Sequence, residues 1–315
     1  MTGYIIRRLF GLVLNLVLVS TFVFAMMRVV PGDTAVAILG QEASLEQLEA
    51  FREKHNLKGS VVEQYARWAS GVFTGDFGQS LRSGNSVTKD FMTRLPITLE
   101  IVVLSFTMTT GLGIITGIWA ARAQNTRTDM TLRVIATLGV SVPNFVLLTL
   151  LLLIPARLFN YAPPFGATSI FENPIDNLRL FLPPTLMLAI GGSAVVMRYT
   201  RSGFLEVMRQ DYIRTARSKG LSENSVAIRH ALRNALPPIM TLAGLQLGGL
   251  LGGSVILERI MSLPGLGSWL LQGIGFKDYP VVMIVSLYSA FMLMLISLVI
   301  DISYAYVDPR IRYSR

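Results

Sequence analysis

Six runs without a single charged side chain, each 18 to 23 residues long, divide this 315-residue sequence: Leu9–Met27, Ile101–Ala121, Val134–Ala156, Leu180–Met197, Ile239–Leu257 and Val281–Ile300. At about 1.5 Å of rise per residue, runs of this length match the hydrocarbon thickness of a bilayer. Inside hydrocarbon no water is available to the backbone amides, so each run is expected to be a helix. Pro143 and Pro155 in the third run predict a kink or an early end there. Composition agrees: 52% of residues are hydrophobic and 15% charged, against roughly 25% charged in soluble chains. Too few polar side chains exist to coat two water-exposed domains. The chain therefore reads as an all-α integral membrane protein with six transmembrane helices. Arg7 and Arg8 before the first run resemble a secretory signal, but the run is too long for a signal core and no small-residue cleavage site follows, so it reads as a retained anchor.

Charge asymmetry orients the spans. With the N-terminus inside, the inner segments are 1–8, 122–133, 198–236 and 301–315, holding 16 Lys and Arg against six acids, Asp129, Glu206, Asp211, Glu223, Asp301 and Asp308. The remaining 12 bases face 13 acids, which is the positive-inside pattern and predicts cytoplasmic N- and C-termini. The net charge of +9 is thereby spread over loops that face anionic headgroups, and nucleic acid is not an expected partner. Without cysteine, disulfides, thiolate metal sites and a cysteine nucleophile are excluded. The two histidines, His55 and His230, are too far apart in sequence to write a zinc-protease motif. None of the five lysines is followed by Ser or Thr, so the chain has no phosphate-binding loop and no ATP site of that kind.

Three segments emerge: 1–30, the N-terminus and first span; 31–96, a small extracytoplasmic helical domain; and 97–315, the core, which contains a cytoplasmic loop at 198–236. In the outer domain, Ser44 with Gln47 and Ser60 with Glu63 are capping-box patterns that open two helices. Gly75–Ser80 reads as a turn. This domain is either a packed cap or a docking surface. In the inner loop, Gln210–Lys219 has a helical pattern, with Tyr212, Ile213, Ala216 and Lys219 near one stripe, and Gly220 is its stop. Ser222 can cap a second helix, Glu223–Ala235, expected to end against Pro237-Pro238. The pair forms a basic helix-turn-helix elbow on the inner face; by composition alone it could simply rest on anionic lipid.

The order of residues in that elbow goes further. Asp211-Tyr212-Ile213-Arg214-Thr215-Ala216-Arg217-Ser218-Lys219-Gly220-Leu221, followed by Arg229–Pro237, resembles the "EAA" loop of ABC-importer permeases, in particular the B-type subunit of the dipeptide/oligopeptide/nickel family. Further motifs follow in family order: Arg7-Arg8-Leu9, Met27–Asp33, Gly75–Ser80, Arg94–Glu100, Leu263–Gly267 and Val307–Tyr313. One departure is that only Ala216 matches the family's acidic residue and two alanines, since Arg214 and Thr215 stand beside it. The resemblance implies a type I importer permease fold in the bacterial cytoplasmic (inner) membrane. It also implies partners: a homologous C-type permease, two cytoplasmic ATPases that hold ATP and Mg, and an extracytoplasmic solute-binding protein. Asp211–Leu221 would dock on an ATPase and carry its closure to the spans. Di- or oligopeptides are the expected cargo, with glutathione, nickel complexes and oligosaccharides as alternatives. The chain itself would be no enzyme.

Polar residues within spans are costly and mark candidate pathways: Asn144, Ser193, Gln246, Ser254 and Asp301. Hydrogen bonding between helices is the competing role. Span five also carries Gly244, Gly248 and Gly252 at four-residue spacing, as well as Gly249 and Gly253, a surface suited to close helix packing. A self-sufficient secondary transporter is disfavoured because no run has a charge at its centre and the basic elbow would have no role.

Overall fold

A computed structural model describes residues 2–307 other than Asn56, Ala162, Phe165, Ala167 and Thr168. The closing motif from Asp308 to Tyr313 lies outside the described residues. Among the described residues, five helices are long and apolar enough to cross a membrane: Ile6–Val29, Val87–Arg122, Pro174–Met208, Glu223–Ile260 and Tyr279–Ser303. The third apolar run is a broken pair, Arg127–Ser141 and Asn144–Phe159, bent by 102°. The break falls at Val142-Pro143, because a residue before proline is pushed out of the helical region; Val142 has ψ 125°. Pro155, by contrast, is carried inside the second helix of the pair.

The chain forms two compact units. The first comprises Met1–Leu99 with Ser254–Leu295. It contains α1 (Thr2–Val29), α2 (Thr34–Leu39), α3 (Leu45–Lys54), α4 (Val61–Thr74), the start of α5 (Val87–Arg122), the end of α11 (Arg233–Ile260), α12 (Leu266–Gly275) and most of α13 (Tyr279–Val307). Both capping boxes form: Ser44 accepts from Gln47 N and Ser60 from Glu63 N, while each partner side chain bonds back to the cap nitrogen. Segment 31–96 rests on α1, where Tyr65 meets the Ser20 hydroxyl at 2.8 Å and the Phe24 ring edge-on. Its last ten residues already belong to α5, which starts at Val87 rather than after Pro96. Val87 and Phe91 of α5, Leu266 and Trp269 of α12, and Val281, Ile284 and Val285 of α13 form the apolar core of this unit.

The second unit comprises Glu100–Gly253 and the chain from Ile296 onward. Here α6 (Arg127–Ser141) and α7 (Asn144–Phe159) pack on α8 (Pro174–Met208). The rest of α5 approaches α8 so closely that a side chain on Gly113 would lie 2.5 Å from Val196 Cβ, and one on Gly117 2.6 Å from Thr200 Cβ. Without water to drive apolar association, such backbone proximity is what holds transmembrane helices together. The glycine series of span five is used unevenly. A side chain on Gly244 would collide with Ile300 and one on Gly253 would touch Leu188, whereas Gly249 and Gly252 face open space.

Helix α8 continues through Met208, so Arg198–Met208, expected in the loop, is helical. A second correction concerns Pro237-Pro238. The helix from Glu223 does not end there but runs on to Ile260. Its first part is α10 (Glu223–Ser225), then a π-helical turn at Val226–Leu232, then α11 with both prolines inside. Proline removes backbone donors and crowds the preceding turn, and a widened turn lets the helix survive that loss. Side chains take up nearby carbonyls, with Asn234 Nδ2 donating to His230 O at 2.7 Å and Thr241 to Pro237 O at 3.2 Å.

Candidate functional site

The elbow is a short helix, α9 (Asp211–Ser218), set against the start of the next helix through a tight turn. Gly220 has φ +79°, and the Gly220 and Leu221 amides donate to Arg217 O and Ala216 O, the paired bonds of a Schellman stop. Ser222 then caps the following helix by accepting from Ser225 N. Across the turn Arg217 makes a two-pronged ion pair with Glu223 at 2.8 and 3.1 Å, though both side chains are largely exposed.

What makes α9 a rigid part is its inner face. Only Ile213 and Ala216 are buried; they pack with Ala121 of α5, Phe204 of α8, and Val226, Ala227 and Ala231 of the π-turn. Replacing a fully buried Ile by Ala typically costs about 2–5 kcal/mol, enough to couple α9 to three helix ends. Tyr212 and Lys219, placed by periodicity on the same stripe, turn outward instead, because one turn of so short a helix buries only two positions. Asp211, Tyr212, Arg214, Thr215, Arg217, Ser218, Lys219, Gly220 and Leu221 are all exposed. The result is a polar, basic surface mounted on an apolar root.

Beside the elbow lies a feature that charge counting concealed. Asp129 of α6 is fully buried, its two oxygens engaged at 2.8 and 2.7 Å by Arg201 of α8. Arg133 lies 3.4 Å away, and the Asn125 amide adds a bond at 3.2 Å. In sequence these were ordinary loop charges; only the extension of α8 past Met197 brings Arg201 to the α6 start.

Three of the five pathway candidates converge on α8. A side chain at Gly191 would sit 3.4 Å from Asn144 Oδ1, and Gln246 Nε2 donates to Gly192 O at 3.2 Å. Ser193 is next in line, bonding within its own helix to Ile190 O. Ser254 is fully buried in the other unit, and Asp301 is partly buried near the end of α13.

Sequence reasoning missed a second polar centre, in the first unit. Glu258 is fully buried near the end of α11 and accepts from Thr98 Oγ1 at 2.7 Å and from Ser268 N at 2.9 Å. Thr98 Oγ1 in turn accepts from Leu266 N at 2.8 Å. The Leu263–Gly267 turn wraps this carboxylate so tightly that a side chain at Gly265 would lie 2.4 Å from it. Two motifs distant in sequence, Arg94–Glu100 and Leu263–Gly267, thus meet at one acid. Lys277 and Asp278 act in the same manner. Lys277 Nζ bonds the carbonyls of Val30, Pro31 and Gly32 at 3.0, 2.6 and 2.6 Å, and Asp278 accepts from Ser80 Oγ and from Leu81 N. A charged residue directly following an apolar run, ahead of a Pro-Gly turn, was the available signal for Glu258.

Long apolar helices, a bent pair and an exposed basic elbow rooted on helix ends are the features of a multi-pass membrane protein. Residues 113–313 match the family described as binding-protein-dependent transport system inner membrane component, and residues 1–102 match its N-terminal companion. The chain belongs to this family. It is the permease subunit of a binding-protein-dependent ABC importer and a multi-pass protein of the inner membrane. A Brucella suis protein, provisionally named a peptide transport system permease, is 38% identical over 99% of this chain and 100% of its own length. The glutathione transport system permease of Escherichia coli strain K12 is 37% identical over the same shares. Among solved structures, an amino acid ABC transporter superposes with a TM-score of 0.51 at 18% identity, covering 70% of this chain and 94% of that one. The inward-facing MetNI methionine ABC transporter gives 0.53 at 17%, covering 69% and 96%. These two likenesses show the type I importer permease fold.

Proposed function

We propose that this permease imports di- or oligopeptides across the bacterial cytoplasmic membrane, with its termini in the cytoplasm and segment 31–96 outside. It pairs with a homologous C-type permease. Two cytoplasmic ATPases supply the energy, holding ATP and Mg, and an extracytoplasmic solute-binding protein delivers the cargo. No chemical step belongs to this chain. Its task is mechanical: α9 sits in a groove of an ATPase, and closure of the nucleotide-bound ATPase pair displaces it. Because Ile213 and Ala216 root α9 on α5, α8 and the π-turn, the displacement moves helix ends as a body, which is how small shifts become gating. Asn144, Ser193, Gln246, Ser254 and Asp301 are the residues that line the translocation route in this reading.

The observation that carries the proposal is the division of α9 into a buried two-residue root and an exposed polar face. Glutathione is the second reading for the cargo, favoured by the 37% identical relative that bears that name. Gly220→Pro tests the coupling. Proline holds φ near −65° and lacks the N–H, whereas Gly220 needs φ +79° and donates to Arg217 O. In proteoliposomes holding the whole importer, uptake should fall at least tenfold while ATP hydrolysis and assembly persist. Uptake at the original rate would sink the coupling role. Titrating the solute-binding protein with peptides and with glutathione decides the cargo.

A further inference from the structure

In the first unit a cavity of about 350 Å³ opens where α1 ends and α13 begins, closed on its other sides by the end of α3, by α4 and by the turn after α4. That volume suits a small organic ligand. We infer that this cavity is a binding site for an organic anion, its acidic group held by Arg28 and drawn in by Lys54 and Arg67, its apolar portion lying against Phe24, Trp68 and Tyr279.

Charge is the first argument. Among the described residues, none of Arg28, Lys54 or Arg67 has a carboxylate partner within 4.0 Å, although all three line the cavity. Asp76 is the one acid on the wall, and its Oδ1 already accepts from Gly78 N at 2.9 Å. Burial first and Lys54 second hold the His55 imidazole below its ordinary value, against the opposing pull of the Asp278 carboxylate. The wall therefore carries an excess of fixed positive charge.

Unmet hydrogen-bonding capacity is the second. Arg28 spends one nitrogen on Gln64 Oε1 and lays its guanidinium over the rings of Phe24 and Tyr279, 4.9 and 4.5 Å from their centroids. Its Nε is buried without an acceptor, and so is Trp68 Nε1. Buried donors normally find a partner, and both of these belong to the cavity wall. Arg28 is also held rigid between two aromatic faces, a preorganised cation of the kind that grips carboxylate or phosphate. Lys54 and Arg67 are exposed at the mouth, where charges raise the local concentration of anions.

Two sources share this chemistry. The cavity sits at the boundary between the apolar part of α1 and the outer segment, within reach of an acidic phospholipid headgroup, and it also opens to dissolved acids. The importer complex, delipidated in detergent, would be titrated with phosphatidylglycerol by native mass spectrometry and with N-acetylphenylalanine by tryptophan fluorescence. At least one probe should bind saturably at one per chain. Arg28→Gln should weaken it at least tenfold, and Arg67→Gln and Lys54→Gln severalfold. Phosphatidylglycerol alone would identify a headgroup site; N-acetylphenylalanine, with quenching lost in Trp68→Phe, would identify a solute site. Should Arg28→Gln fail to assemble, the two exposed mouth variants carry the same test. Failure of both probes to bind, or unchanged affinity in every soluble variant, overturns the inference. None of these outcomes bears on the coupling role of α9, so the two readings stand or fall separately.

Discussion

Glu258 offers the sharpest quantitative test of how the first unit is held together. Glu258→Ala strips the acceptor from Thr98 Oγ1 and from Ser268 N, both buried and bonded at 2.7 and 2.9 Å. An orphaned buried donor costs about 1–3 kcal/mol, so the two together cost about 4 kcal/mol, before any gap left by the side chain. Thr98→Val, nearly the same shape, orphans Leu266 N and one carboxylate oxygen and should cost about as much. The two variants remove the same Thr98–Glu258 bond. Combined, they should therefore fall short of additivity by roughly 1.5–3 kcal/mol, the worth of a hydrogen bond to a charged group. At roughly 2–4 °C per kcal/mol, each single variant should lower the melting temperature of the purified complex by about 8 °C or more. Glu258→Gln, which keeps one acceptor oxygen, should lose about half of that. A Glu258→Ala complex melting within about 2 °C of the parent, or strict additivity in the double variant, would refute the claim that this carboxylate organises the Leu263–Gly267 turn.

The Asp129–Arg201 pair should behave as a buried ion pair. Asp129→Asn leaves Arg201 without its charge partner and should cost about 3–5 kcal/mol, whereas Asp129→Leu with Arg201→Met should recover most of the loss; melting of the three complexes checks both. The segment after α1 carries an acid-sensitive cap at Asp33. Burial raises its carboxyl, but the Ala35 amide and Arg52 outweigh this and hold it below the ordinary value. The folded carboxyl thus ionises more readily than the unfolded one. Its support is complete above about pH 4 and drains away as pH falls below that. Hydrogen exchange in α2 and α3 should accelerate below pH 4 in the parent and respond less to acid in Asp33→Asn; an identical acid response would remove Asp33 from the account.

Legibility followed the range of the interaction. Local signals were readable: the two capping boxes, the stop at Gly220, the cap at Ser222 and the break at Pro143 each depend on a few adjacent residues. Reading failed where a local rule met a longer-range one. Pro237-Pro238 looked like a helix end, yet a π-turn upstream accommodates the missing donors because a membrane helix has no solvent to fall back on. Arg198–Met208 looked like loop because it is charged, but its apolar face, with Phe204 fully buried, keeps α8 helical. Periodicity put Tyr212 and Lys219 on the buried stripe of α9, where only Ile213 and Ala216 fit. The pathway candidates were chosen one residue at a time, and nothing in their spacing revealed that Asn144, Ser193 and Gln246 would gather at Gly191–Ser193.

The linear chain alone settled which lengths must lie in lipid, since a run without charge has nowhere else to go, and where the basic elbow would interrupt them. It also holds no lysine followed by Ser or Thr, so no phosphate loop of that motif is written in it. Tertiary structure decided which charges leave water. Asp129, Glu258, Lys277 and Asp278 look alike in sequence to their exposed neighbours, and each is paired by groups tens to hundreds of residues away. Desolvation is a property of the surroundings rather than of the residue, so only the packed chain could assign it.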